Sequence, residues 1–405
     1  MKTIVYPLLL TVLLFMPICH AASAATPEDQ PLLYIDRIAN LPGYLRDFYF
    51  RLGHEVEAAF RDEPSVLVSP EQADLCIKPD FYAYAIKTFE GELNISVGPA
   101  DDVDAMAGEA VSKATAAALD EYSSFMPYVC HAFSMDYPQA FWLRTNYDYY
   151  NKTSWSCDTV RAVAAKEERL VRYKFTCYLT LKRPGYDLRR QSMHTEADIR
   201  NGIKRYEAAL AEILKQIPAE ASRREQVLCL NDWLTSHNSY TTRRATPPPS
   251  MAYSPLSALE GKSGDDGLVC EAYSRGLKVL CDRLGIPCIV VSGRARDKAD
   301  RPYEDHLWNY VRMEDGQWYA VDVTWNDPVN TGDEEAAGRA CSGFESHKWM
   351  LLGSLSDVAD GFSFDSSHTE DPSGGYAPAG TLQWNLLPGP ALAEQGYADP
   401  AASPQ

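Results

Sequence analysis

The sequence predicts an α+β protein, on two main observations. From Val269 the apolar positions Val269, Ala272, Tyr273, Leu277, Leu280 and Leu284 recur at three- and four-residue steps, which is one face of a helix. Downstream, HLWNYVRM and QWYAVDVTW flank Glu314-Asp315-Gly316 and read as an antiparallel hairpin. A chain of 405 residues has room for two domains.

The remaining elements follow in chain order. The start, MKTIVYPLLLTVLLFMPICHAASAA, joins one Lys to an apolar stretch and a small-residue site at Ala22-Ser23-Ala24, the pattern of a signal peptide over 1–24. Pro7 and Pro17 break the stretch and make a permanent membrane helix the weaker reading, and Met16-Pro17-Ile18 disfavours a lipid anchor at Cys19. Residues 31–61 read as helical, with LRDFYFRLGHEVEAAFRD amphipathic. SVLVS, FYAYAIKTF and ELNISVG read as strands, followed by an Ala-rich helix over 102–125. AFWLRTNYDYY and VRYKFTCYLTLKR alternate as strands do. A helix pair over 196–216 and 220–236 precedes the loop TTRRATPPPSMAYSPLSALEGKSGDDG, whose prolines argue against regular helix. The Pro- and Ala-rich end, residues 386–405, reads as a disordered tail.

Composition narrows the function. The formal charge is −18, which argues against nucleic acid or an anionic membrane as partner. Ten cysteines suit an oxidising compartment. Cys281 and Cys288, at a helix end and the next strand start, can be a disulfide or two buried thiols. No CxxC, His-rich cluster or DxDxDG pattern occurs, so no metal or other cofactor is expected.

The chemistry centres on Cys270, which opens the Val269 helix. A first-turn position puts its sulfur at the positive end of the helix dipole. Taken alone, Cys270 reads equally well as a buried structural cysteine. His306 follows 36 residues later on the first hairpin strand and Asp322 lies on the second; with a thiol they make up an activated cysteine nucleophile. A two-residue turn would place His306 and Asp322 on opposite faces of the hairpin. A three-residue loop with Gly316 in the left-handed region pairs Met313 with Gln317. It sets Asp322 opposite Trp308 and His306 opposite Thr324, so His306 and Asp322 become diagonal neighbours on one face, roughly 7–8 Å apart. Trp308, on that face, is a candidate wall of a substrate pocket or a packing residue. Trp325 reads as core, Glu271 as an N-terminal helix charge, and His347 and His368 as surface or loop histidines.

The segments VCEAYSRGLKVLCDRLGIPCIVVSG, HLWNYVRMEDGQWYAVDVTWNDP and HKWMLLGS resemble the transglutaminase-like superfamily, in its secreted bacterial branch. REQVLCLNDWLTSHNSY is similar to the helix that precedes the nucleophile there. Ala272 and Leu307 depart from the Gly and Ala usual in that family. The resemblance implies a papain-like transglutaminase core, with a Cys-bearing helix packed on an antiparallel sheet and an N-terminal α/β extension. It also implies Cys270 as nucleophile, His306 as base and Asp322 as orienting carboxylate. The expected organisation is a signal peptide at 1–24, an N-terminal α+β region at 25–190, a catalytic domain at 191–385 and the tail. The expected protein is a secreted or periplasmic acyl-transfer enzyme that cleaves or cross-links amide bonds in proteins or peptides, cell-wall peptides included, through a Cys thioester. The alternative is a non-catalytic binding or scaffold module that keeps the fold.

Overall fold

The computed structural model describes residues 33–65, 83–96, 103–142, 153–164, 170–182, 196–241, 250–261, 267–297, 299–327, 346–359, 361–370 and 389–398. The leader, most of SVLVS and AFWLRTNYDYY, and the ends of the tail lie outside these residues. Among the described residues no helix is long and apolar enough to cross a membrane.

The N-terminal part begins with a 3-10 turn, Tyr34–Arg37, and helix α1, Gly43–Phe60. The helical stretch expected over 31–61 is split because Pro42 pushes the residue before it out of the α region. Two of the expected strands join into one, β1, Ala83–Ser96. Helix α2, Val103–Asp136, runs past Pro127 and well beyond the expected end at 125. Burial of Val129, Ala132, Phe133 and Met135 outweighs the lost amide hydrogen bond. Strands β2, Thr153–Ala164, and β3, Leu170–Lys182, complete an antiparallel sheet of order β1-β3-β2. Asp136, at the end of α2, ties this part together. It accepts from the Tyr34 amide at 2.9 Å and the Tyr49 hydroxyl at 2.6 Å, and the Tyr34 hydroxyl donates to the Val290 carbonyl.

The C-terminal part starts with the helix pair α3, Glu196–Leu214, and α4, Arg223–His237, close to its expected bounds. Ser222 and Glu225 form a reciprocal capping box at the start of α4. The Pro-rich loop does contain helix: a 3-10 turn at Ser250–Tyr253 and α5, Pro255–Glu260. Pro255 stands at the first helical position, where a missing amide costs nothing.

Helix α6, Cys270–Arg283, is the centre of the domain, and Gly285 ends it at φ +70°. Tyr273, Leu277 and Leu280 are fully buried, each contributing about 1.5–3 kcal/mol by leaving water. The helix is enclosed far enough round that Arg275 and Lys278 are buried too. They ion-pair with Glu271 at 3.0 Å and Asp282 at 2.5 Å. Cys281 and Cys288 are both buried free thiols.

Strand β4, Cys288–Ala295, pairs with β5, Glu304–Arg312, and β5 with β6, Trp318–Val321. The short β9, His368–Thr369, pairs with β4 on its other side, giving the antiparallel order β6-β5-β4-β9. The hairpin loop has three residues. Gly316 sits at φ +78°, its amide donates to Met313, and Met313 donates to the Gln317 carbonyl, as the turn chemistry predicted.

The expected pairing of His306 with Thr324 does not form. Strand β6 stops at Val321, and Asp322 caps the short helix α7, Val323–Asn326, by accepting from the Trp325 amide at 3.1 Å. The Asp322 amide donates to the Trp349 carbonyl at 2.9 Å. Beyond Trp349, a two-stranded ribbon of β7, Asp357–Ala359, and β8, Phe362–Ser363, leads into helix α8, Phe364–Ser367, and then β9. The tail is corrected for residues 389–398. The Ala393 amide bonds Trp318 and the Tyr397 amide bonds Leu351, because Leu392 and Tyr397 pack on the core.

Candidate functional site

Four elements converge beside the start of α6. Cys270 is half-buried in the first turn, next to the β4–β5 sheet. His306 lies on β5 opposite Gly293, and His368 lies on β9 opposite Ala295, so both histidines come from strands that flank β4. Asp322 is set between them by the turn from β6 into α7.

The His306 Nε2 is 2.7 Å from Asp322 Oδ2, and the His368 Nε2 is 3.1 Å from the same oxygen. The other carboxylate oxygen accepts from the Trp325 amide. The Cys270 thiol is, after Asp322, one of the groups that raise His306. With Nε2 committed to Asp322, Nδ1 is the nitrogen left for sulfur. Asp322, His306 and His368 are 1 %, 6 % and 4 % exposed, so these bonds sit in a medium where charge interactions are strong.

The protonation states follow from that burial. Desolvation opposes a charge on His306. The Asp322 carboxylate outweighs it through charge and hydrogen bond, with Cys270 adding to the effect, and His306 is raised to about 10. Burial would likewise raise Asp322, but His306 and then His368 hold it well below the usual carboxylate range. For His368 burial wins: its value falls to about 4, and the ring is neutral. A neutral ring that donates from Nε2 carries no proton on Nδ1.

The structure brings His306 and Asp322 together in one hydrogen-bonded group, adds His368 to it, and sets Cys270 at the start of the adjoining helix. His368, read from sequence as a surface or loop histidine, is buried at the centre of the site. Its ring stacks on Phe364 at 4.4 Å and meets Trp325 at 4.7 Å and Trp308 at 5.0 Å. Trp308, expected as a pocket wall or as packing, is 0 % exposed and packs beside His306 at 6.2 Å, so its place is behind the site. Trp325, expected in the core, is half-buried and stacks on His306 at 5.0 Å with 25° between the rings. Tyr240 was not singled out from the sequence. A parallel bridge to Leu268 sets it beside the nucleophile, and its phenol is raised by burial and then by Cys270 and Glu304. Val269 is the N-cap of α6, and Asp265 and Asp266 before it lie outside the described residues. His347 is exposed and pairs with Asp232 at 2.6 Å.

Among the described residues, His306, Asp322 and His368 are also the one group whose composition suits a metal ion, with donor atoms within 4.8 Å of one another. Those atoms are already hydrogen-bonded to each other, so an ion would have to replace both bonds. A thiol, a basic imidazole and an ionised carboxylate in sequence are equipped to move a proton off sulfur and return it to a leaving group.

Residues 211–323 match the transglutaminase-like superfamily, in its core domain. No curated protein matches the chain. Among solved structures, a candidate cysteine protease from Cytophaga hutchinsonii is 18% identical with a TM-score of 0.23, over 44% of this chain and 67% of that one. A candidate protease from Parabacteroides distasonis ATCC 8503 is 13% identical with a TM-score of 0.21, over 43% of this chain and 41% of that one. The chain thus spans less than half of the second protein's length.

Proposed function

From the transglutaminase-like domain that this chain carries at residues 211–323, we propose a cysteine-dependent acyl-transfer enzyme with Cys270, His306 and Asp322 as its catalytic residues. The observation that supports the proposal is the buried His306 imidazole, bonded to Asp322 on Nε2 and raised by Asp322 and then by Cys270.

In this mechanism the Cys270 proton already rests on His306 Nδ1, as the raised His306 favours, and the thiolate of that ion pair attacks an amide carbonyl. The carbonyl electron pair moves to oxygen, where the Cys270 backbone amide, at a helix start and without an intrahelical acceptor, can meet the oxyanion. As the C–N bond breaks, the imidazolium returns its proton to the leaving amine and a Cys270 thioester remains. Water or a primary amine, deprotonated by neutral His306, then attacks the thioester and restores the thiol. Water as acceptor gives hydrolysis; an amine gives transamidation. Asp322 stays ionised throughout and keeps the His306 proton on Nε2 in the neutral state. Trp325 offers a flat apolar wall to the acyl chain. The substrates are proteins or peptides, cell-wall peptides included. The signal-peptide pattern supports action outside the cytoplasm.

Brief iodoacetamide treatment of the mature protein at neutral pH, read by mass spectrometry, tests the nucleophile: Cys270 should label before any other thiol. Dimethylated casein with and without a biotinylated alkylamine then separates transamidation from hydrolysis. The proposal fails if Cys270 labels no faster than Cys229, or if casein conversion survives Cys270→Ala at the wild-type rate. Inert wild-type protein that binds its target equally well with and without Cys270 is the outcome a scaffold module predicts.

A further inference from the structure

We propose that His368 is a positioning residue for the acyl-transfer site, a second donor that holds Asp322 ionised and in place while His306 changes charge. The inference rests on the acyl-transfer proposal and adds a residue to it.

The surroundings of His368 are what a phenylalanine would want. The ring stacks on Phe364 at 11°, with Trp308, Trp325 and Trp349 all within 5.4 Å. Its one polar contact is the 3.1 Å bond to Asp322, and its Nδ1 is buried with no partner among the described residues. A buried nitrogen lone pair without a donor costs stability, and an apolar ring of the same shape would avoid that cost. The imidazole therefore lowers stability in return for the one thing phenylalanine cannot supply, an N–H aimed at Asp322.

That N–H has a use in the catalytic cycle. While His306 is an imidazolium, Asp322 has a charged partner. When His306 has given its proton to the leaving amine, the carboxylate is left fully buried with the neutral His306 N–H, the Trp325 amide and the His368 N–H as its donors. Without His368, one lone pair of Oδ2 loses its donor at the stage when the charge is least compensated. With two donors left, the His306 N–H and the Trp325 amide, the carboxylate is freer to turn or to draw the His306 Nε2 proton toward itself. Both outcomes misplace the base needed for deacylation. Because His368 is not itself charged, it supports Asp322 without competing with His306 as a cation.

His368→Phe and His368→Gln separate donation from shape, since Gln can place an amide N–H near the position of the imidazole Nε2. The assay is steady-state hydrolysis of 4-nitrophenyl acetate, in which acyl transfer to Cys270 is followed by deacylation. His368→Phe should melt at or above the wild-type temperature. It should lose about 10- to 100-fold in kcat, the range of one hydrogen bond to a charged group, with KM falling alongside because deacylation is the step slowed. His368→Gln should recover most of the loss. The proposal is overturned if His368→Phe keeps wild-type kcat, or if the Phe and Gln variants slow equally. Should the wild type hydrolyse nothing, the acyl-transfer proposal falls, and the proton NMR signal of His306 Nε2–H decides on His368 alone. A deshielded signal that His368→Phe broadens or shifts and His368→Gln keeps supports the assignment; one indifferent to both variants overturns it.

Discussion

Replacing Asp322 by Asn keeps shape and volume but removes one acceptor and the charge. The carboxylate accepts three hydrogen bonds, from the Trp325 amide on Oδ1 and from His306 and His368 on Oδ2. An amide has one oxygen, so it must choose. If that oxygen keeps the Trp325 cap, the NH₂ faces both imidazoles. His306 can then meet it only with a bare Nε2, and its proton moves to Nδ1, the side that must receive the thiol proton. If the amide flips, the imidazoles keep an acceptor but the cap is lost, at about 0.5–2 kcal/mol, and a buried donor goes unmet, at about 1–3 kcal/mol. The competent arrangement is thus disfavoured by about 1.5–5 kcal/mol, which is roughly 10- to several-thousand-fold in population. Loss of the negative charge that raises His306 adds to this. A fall in turnover of about 10³–10⁴ is expected, similar to the roughly 10⁴ of the serine-protease counterpart. The assay is turnover of dimethylated casein, with melting temperature measured alongside. A variant within tenfold of wild type and equally stable would refute the reasoning, because His306 would then hold its tautomer without Asp322.

The ion pair should also set a pH dependence of stability. His306 rises from 6.5 to about 10 on folding, so its contribution is fully present below about pH 6.5 and lost as pH climbs through about 10; the melting-temperature gap between wild type and His306→Gln should shrink over that window, and a constant gap would contradict the pairing. Gly293→Ala should loosen β9, because a Cβ there would strike the Thr369 carbonyl and come within 2.6 Å of the Trp308 ring. We expect a stability loss of about 1–3 kcal/mol by denaturant unfolding and slower 4-nitrophenyl acetate turnover, since the displaced strand carries His368; unchanged values in both measurements would show that β9 tolerates the shift.

The hairpin shows how much of the site could be read in one dimension. Glu314-Asp315-Gly316 demanded a three-residue loop, that loop fixed the register, and the register put His306 and Asp322 within reach. Local turn chemistry and period-two alternation determine such a result without help from the rest of the chain. The helix carrying Cys270 was legible for the same reason, as a 3.6-residue apolar period with a glycine stop. The end of β6 was less so: Asp322 reads equally well as a strand residue or a helix cap, and only the Trp349 carbonyl, which binds its amide, decides between them. His368 was beyond reach. Two residues of strand have no periodicity to detect, and a histidine among serines and acids looks like a loop residue until β9 closes on β4. Which of its two readings Trp308 would take, pocket wall or packing, was open for a related reason, since alternation assigns a face but cannot tell what will cover it; the structure buries it fully. Local spacing and turn chemistry thus placed Cys270 at a helix start and His306 within reach of Asp322. Long-range packing, which brings His368 back onto Asp322 from 46 positions along the chain, alone decided what surrounds them.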